Sequence, residues 1–166
     1  PLLAPIFAWG PVIDGSPEGL LDMPAEMLRK GTFNRVPVIM GHNLNEGSIF
    51  VPMLPVLVPG TSFPPSEDDV EKAMDHFFAQ NKSIAEQIVR EYPLADFEGE
   101  WRRTDQIVRD WVFTCGQRRA ARYISGHGVP VYTYQFVYAF SSPPLVHALL
   151  GDFHMSELFF VFDNDW

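Results

Sequence analysis

Two polar loops carry the side chains of this sequence that are best suited to acid–base chemistry. Glu46 lies in the segment GHNLNEGSIF at 41–50, and His154 lies in the segment GDFHMSELFFVF at 151–162. A histidine in such a loop can act as a general base, and a carboxylate beside it can hold one imidazole tautomer and stabilise the imidazolium. Each residue also has an ordinary alternative, because an acid at position 46 could begin a helix or a turn and a lone histidine is usually structural.

Both loops follow predicted β-strands. The unbroken apolar run VPVIM at 36–40 is typical of a buried strand in a parallel sheet, and the β-branched and aromatic run VPVYTYQFVY at 129–138 predicts a second strand. Open α/β sheets place reactive groups just past the carboxyl ends of their strands. An acid after one strand and a histidine after the next match the chain order Ser, acid, His of α/β-hydrolases. The two positions together therefore predict the acid Glu46 and the base His154 of a catalytic triad.

The chain between the two loops predicts helices. Capping-box patterns at Ser66 and Ser83 begin two of them, and apolar residues at helical spacing predict a third over 104–124. A short helix is predicted at 24–30, and the proline-rich apolar segment 50–65 predicts an extended loop that packs on the protein or lines a pocket. Strand, helices and strand in this order predict an α/β fold with an incomplete sheet flanked by helices.

Charge and hydropathy exclude several classes of partner. The 166 residues include 21 acidic and 12 basic side chains, for a net charge of −9. Because phosphate neutralisation needs clustered Lys and Arg, nucleic acid is not a predicted partner. The longest apolar stretch, 49–58, is short and interrupted by prolines, so no membrane span is predicted. The length is that of one domain.

Metal and cofactor binding are not predicted from the residues. Asp152, His154 and Glu157 lie close in sequence, but no third well-spaced nitrogen or sulfur ligand accompanies them. The single cysteine, Cys115, excludes a disulfide framework or a cysteine-rich metal site within the chain. The remaining histidines are interpreted as ordinary core or surface residues: His42, His76, His127 and His147.

Five stretches carry, in order along the chain, the pattern of a known family. They are PVIDGSPEGLLDMP at 11–24, VPVIMGHNLNEGSIF at 36–50, DWVFTCGQRRAARY at 110–123, VPVYTYQF at 129–136 and GDFHMSELFFVF at 151–162. The chain thereby resembles the carboxylesterase/cholinesterase family, the type B carboxylesterases, which have the α/β-hydrolase fold. The resemblance implies that Glu46 is the triad acid, that His154 is the triad base, and that Glu157 is a structural residue supporting the histidine loop.

Two other family motifs are missing from the sequence. It contains neither a G-x-S-x-G nucleophile motif nor a glycine-rich oxyanion loop, both of which precede these stretches in the family. The resemblance therefore implies that residues 1–166 are a single partial domain, the C-terminal portion of an α/β-hydrolase truncated at both ends. It implies a serine-dependent carboxylic ester hydrolase that acts on a small-molecule ester without cofactor or metal, and whose nucleophile lies upstream. This chain alone is then expected to be inactive.

An alternative function and the state of Cys115 remain open at this point. The same family includes cholinesterase-like adhesion proteins that have lost the triad, so a catalytically dead interaction module is the second interpretation. Cys115 is interpreted either as a buried free thiol or, by resemblance, as the partner of a family cysteine near the C-terminus. Such a disulfide would imply an oxidising compartment and favour a secreted or extracellular protein.

Overall fold

The computed structural model describes residues 10–139 and 143–162. Its helices and strands, in chain order, are α1 (Pro24–Lys30), β1 (Val38–Asn43), a 3₁₀ turn (Val51–Met53), α2 (Leu54–Leu57), α3 (Glu67–Phe77), α4 (Lys82–Glu91), a second 3₁₀ turn (Leu94–Asp96), α5 (Glu100–Val108), a π-helical segment (Arg109–Thr114), α6 (Cys115–Gly126), β2 (Val131–Phe136), α7 (Pro144–Leu150) and α8 (Leu158–Val161). The structure is helix-rich with a small two-stranded sheet, which is compatible with part of an α/β fold.

The chain divides into two compact units. Among the described residues, the first unit is drawn from 10–40 and 117–133, and the second from 41–116, 134–139 and 143–162. In the first unit Val38 donates its backbone N–H to the carbonyl of Pro130, and in the second Leu44 donates to Phe136, so the pairing is parallel.

Helix α1 of the first unit has the boundaries that the sequence predicts. Pro24 occupies the first turn, where a backbone N–H is not needed, and Arg29 and Lys30 lie in the last turn, where cations interact favourably with the helix dipole. Gly31 ends the helix at φ 78°, and a Cβ there would also lie 2.8 Å from the ring of His127. The helix predicted at 24–30 is confirmed.

The two predicted strands are present, but they are less covered than their sequences suggest. Strand β1 begins later and ends later than the predicted segment 36–40, and β2 is shorter than 129–138. Ile39 is 73% exposed and Tyr132 is 62% exposed. Apolar strands of parallel sheets are normally covered on both faces, and the described residues do not supply that cover.

The core of the second unit lies among helices α2 to α5. Its buried members are Leu54, Val58, Val70, Ala73, Met74, Ala85 and Ile107. Ser66 caps α3 and forms a reciprocal capping box with Asp69, as the sequence predicts. Hydrogen bonds from the hydroxyl of Ser62, the backbone N–H of Ser66 and the hydroxyl of Ser66 hold the pKa of Asp69 far below its usual range.

Three predicted helix features need correction. The segment 50–65 is not wholly extended, because it contains a 3₁₀ turn and α2; Pro52 and Pro55 lie in the first turns of these two elements, where a missing N–H is tolerated. Helix α4 is capped by Asn81 rather than Ser83, so it begins at Lys82. The helix predicted over 104–124 is a succession of α5, the π-helical segment and α6.

No helix in the ranges 10–139 and 143–162 is long and apolar enough to cross a bilayer.

Candidate active site

The acid loop follows β1 directly and carries Glu46 into the interior. Glu46 is 4% exposed, and its Oε1 accepts a 2.8 Å hydrogen bond from the backbone N–H of Asn43. The next residue, Gly47, lies against the backbone of α5, where a Cβ would collide with the carbonyl of Asp105. The glycine therefore lets the acid loop approach α5 closely.

The histidine turn follows α7 and is joined to the acid loop by backbone contacts. Asn45 forms an isolated parallel bridge with Phe153, and its N–H lies 3.4 Å from the carbonyl of Asp152. The side chain of Asp152 accepts the N–H of Leu44 at 3.3 Å, and burial raises the pKa of this carboxyl. These contacts hold the two loops side by side although more than a hundred positions separate them.

The two side chains singled out by the sequence lie in contact. Nδ1 of His154 is 2.6 Å from Oε2 of Glu46, across 108 positions of sequence. The side chain of Glu46 is 5% exposed, whereas that of His154 is 32% exposed. A buried carboxylate at Nδ1 fixes the tautomer that leaves Nε2 as the proton acceptor, and Nε2 belongs to the more accessible side chain. The proximity expected from strand-end placement is therefore present, while the catalytic role of the pair stays a prediction.

Two phenylalanines pack against the imidazole. The ring of Phe113 lies 4.8 Å from that of His154, and the ring of Phe50 lies 5.6 Å from it, measured between centroids. Phe50 belongs to the segment 50–65, which the sequence predicts to pack on the protein or to line a pocket. Phe160 contacts the rings of Phe136 and Tyr138. Sequence reasoning missed Phe113, because helical periodicity alone assigns it to an ordinary helix face.

The π-helical segment supports the acid loop as well as the histidine. Arg109 donates from Nη1 to the carbonyl of Leu44 at 3.2 Å, and its Nε bonds Oδ1 of Asp110 at 2.9 Å. Asp110 in turn accepts from the hydroxyl of Tyr92, whose pKa is raised by burial and by this carboxylate. Phe113 comes from the same segment. Single π turns inside α-helices occur frequently at functional sites, where they redirect side chains.

Asn43, the last residue of β1, is completely buried and reaches the histidine turn. Its Nδ2 lies 2.6 Å from Oε2 of Glu157, 2.8 Å from the carbonyl of Phe153 and 3.3 Å from Oγ of Ser156. The resemblance assigned Glu157 a structural role at this turn, and its contact with Asn43 is consistent with that role. The sequence does not predict Asn43 as a site residue, although it lies in the same segment 41–50 as Glu46.

A second buried polar pair lies behind the acid loop. The side chain of Asn45 donates to Oδ2 of Asp105 at 2.7 Å, and Arg102 approaches the same oxygen at 3.7 Å. Asp105 is 2% exposed, and burial raises its pKa to about 6 despite these contacts. Neither hydrophobic periodicity nor capping patterns predict this pair, because α5 and the acid loop are far apart along the chain.

Cys115 differs from the buried thiol of one interpretation. It is a free cysteine and it is exposed, at the start of α6. The interpretation of a buried thiol is therefore wrong, because the side chain lies on the outer surface where the π-helical segment ends. A disulfide to a cysteine outside this chain stays a prediction.

Within the described ranges, no group of three or more His, Cys, Asp or Glu side chains is arranged to hold a metal ion.

Comparison with known proteins assigns the class. The sequence profile of the Carboxylesterase family matches residues 3–166, so the chain belongs to the carboxylesterase family. It is 27% identical over 161 residues to the protein named Crystal protein of Dictyostelium discoideum, and 26% identical over 171 residues to Acetylcholinesterase 1 of Caenorhabditis elegans. Each match covers 94% of this chain, which spans 27% of the length of either relative. The family resemblance deduced from the motifs is confirmed.

Proposed function

We propose that this chain supplies the acid and the base of a Ser–Glu–His triad in a serine-dependent carboxylic ester hydrolase. The observation that carries the proposal is the 2.6 Å contact between Nδ1 of His154 and Oε2 of Glu46. The contact joins a buried carboxylate to a partly exposed imidazole, which is the arrangement that general-base activation of a hydroxyl requires. Family membership supports the same reaction class.

In the proposed reaction His154 moves protons and Glu46 orients it. The serine Oγ attacks the carbonyl carbon of the ester while its proton passes to Nε2 of His154. The imidazolium then gives this proton to the departing alkoxide, which leaves as the alcohol. The acyl group stays on the serine as an acyl-enzyme. Water then hydrolyses the acyl-enzyme, with the same proton transfers through His154. Glu46 stabilises each imidazolium, and its Oε1 is held by the N–H of Asn43, so the carboxylate cannot rotate freely away.

The nucleophile and the oxyanion hole in this proposal lie outside the 166 residues. The sequence holds no G-x-S-x-G motif. Its buried serine beside the acid, Ser48, bonds the carbonyls of Asn45 and Leu150 rather than facing His154. We accordingly treat the chain as one partial domain of a larger α/β-hydrolase, with a small-molecule carboxylic ester as substrate and no cofactor in the reaction.

Covalent labelling of the full-length protein tests the proposal. A fluorophosphonate probe reacts with a serine only when a base activates it, because Oγ must lose its proton as it displaces fluoride. The full-length protein should label, and His154→Ala should label far more slowly. His147→Ala is the matched control, since His147 is exposed on α7 and should leave labelling unchanged. Labelling of His154→Ala at the parent rate would contradict the assignment.

The second candidate is an interaction module without activity. It is kept because one of the two relatives bears the name Crystal protein, which refers to no reaction, while the other is named as an acetylcholinesterase. The two identities are nearly equal and do not discriminate between the candidates. The same probe does: a full-length protein that folds but never labels would support the interaction module.

A further inference from the structure

Asn43 is placed to fix both members of the proposed dyad. Its backbone N–H bonds Oε1 of Glu46 at 2.8 Å, which leaves Oε2 for His154. Its side chain reaches across to the histidine turn and lies within hydrogen-bond distance of groups on either side of His154, at Phe153 and Glu157.

We propose that Asn43 is a positioning residue whose side-chain amide holds the histidine turn at the distance at which Nδ1 of His154 meets Glu46. The inference rests on the proposed function, since positioning matters only if the dyad is catalytic. It assigns to Asn43 a role that acts through His154, not a contact with substrate.

The side-chain amide of Asn43 acts in this site as a hydrogen-bond donor. An amide NH₂ has two protons, and the two shortest contacts of Nδ2, to Glu157 and to the carbonyl of Phe153, account for both. The third acceptor, Ser156, is more distant at 3.3 Å. By contrast, Oδ1 of Asn43 is buried without a hydrogen-bond partner. If the side-chain amide of Asn43 served through its acceptor oxygen, or only through its volume, it would not direct Nδ2 at the turn and leave Oδ1 buried without a partner.

The turn itself needs to be held. Met155, directly after His154, has φ 73°, and it is the only non-glycine residue in the described ranges with a positive φ. A left-handed conformation at a side-chain-bearing residue persists only where surrounding contacts determine it. Asn43 donates hydrogen bonds to residues on both sides of His154 and Met155, namely 153 and 156–157. These bonds therefore constrain the turn from both ends.

Two substitutions at position 43 separate donor chemistry from packing. Asn43→Asp keeps the shape but sets an acceptor oxygen against the Glu157 carboxylate and the Phe153 carbonyl. Asn43→Ala removes the donor without that repulsion. If the amide protons position the turn, kcat for an aryl ester should fall by about 10²-fold in Asn43→Ala, with KM little changed, and further in Asn43→Asp. If only volume matters, the isosteric Asn43→Asp should be the more active of the two.

The experiment uses the full-length protein and adds a readout that does not depend on activity. A short N–H···O bond between imidazole and carboxylate gives a far-downfield proton resonance, which reports the contact of His154 with Glu46 directly. We expect it to weaken or disappear in Asn43→Ala and to persist in Ser66→Ala, a control that removes the cap of α3 at a distance from the site. Loss of the resonance at unchanged folding would support the positioning role even if no esterase activity were found.

Variants at Glu157 keep the proposal testable if position 43 does not tolerate change. Glu157→Gln retains an oxygen that can accept from Asn43, and Glu157→Ala does not. The resonance and kcat should be close to the parent values in the first variant and reduced in the second. A parent-like resonance and kcat in Asn43→Ala or Glu157→Ala would overturn the inference. The proposed function would then still stand, provided His154→Ala abolishes activity.

Discussion

The buried carboxylate of Asp105 accepts a 2.7 Å hydrogen bond from the side chain of Asn45, the residue immediately before Glu46. Helix α5 thus supports the acid loop from behind with an ionisable group. Burial raises the pKa of Asp105 to about 6, so this support changes its charge close to neutral pH.

Stability should therefore fall as pH rises through 6 because of Asp105. Below about pH 4 the carboxyl is protonated in both folded and unfolded states. Between 4 and 6 the folded state retains a proton that the unfolded state has released, so the free energy of unfolding decreases with rising pH, by up to about 3 kcal/mol. Asp105→Asn should remove this decrease when denaturant unfolding of the full-length protein is measured at pH 4 and 7.5.

A control at the surface isolates the effect of burial. Asp68→Asn replaces a carboxylate that is 73% exposed and pairs with Lys72. It should leave the pH dependence of unfolding close to that of the parent protein, because exposed ion pairs contribute little. An unchanged pH dependence in Asp105→Asn would show that Asp105 titrates normally and would contradict the effect of its burial.

The helical core of the second unit should be sensitive to the truncation of a single valine side chain. Val70 on α3 is 1% exposed, whereas Val56 on α2 is 80% exposed. Val70→Ala should lower the free energy of unfolding by about 2 kcal/mol, since it removes buried apolar surface and leaves a cavity. Val56→Ala should change it by less than about 0.5 kcal/mol. Equal effects of the two substitutions in denaturant melts would contradict the burial of α3.

Local signals in the sequence account for much of the fold. Proline at the start and glycine at the end predict α1 to the residue, and the capping box at Ser66 predicts the start of α3. Such signals act within one or two turns, so a single sequence reveals them. The segment 50–65 departs from the predicted extended loop because prolines break a helix only in its interior, and Pro52 and Pro55 lie in first turns.

The sequence predicts only those site residues whose side-chain type is typical of catalysis. Glu46 and His154 stood out by type and by position after strands, and the structure brings them together. Three other site residues do not stand out in the sequence: Asn43, Asp105 and Phe113. Their roles depend on partners that are far away in sequence or on the π-helical segment. Neither hydrophobic periodicity nor capping patterns encode such contacts.

The isolated 166-residue chain should neither hydrolyse esters by the proposed route nor unfold cooperatively. It lacks the nucleophile motif, and apolar side chains of its sheet region are exposed, including Ile39 at 73% and Val137 at 67%. Exposed strands without partners favour association over a stable fold. The measurements are fluorophosphonate labelling and calorimetry of the purified chain. A serine adduct would contradict the first expectation, and a sharp melt would contradict the second.

The central claim is that Glu46 and His154 act as one catalytic unit, and kcat/KM for both single variants and the double variant tests it most directly. In the full-length protein with a simple aryl ester, His154→Ala and Glu46→Gln should each lower kcat/KM by several orders of magnitude, about 10⁴-fold, because one removes the base and the other its anionic partner. The double variant should be no worse than the more damaged single variant, since residues of one unit are not additive. A Glu46→Gln enzyme within a few-fold of the parent, beside an inactive His154→Ala, would contradict the claim.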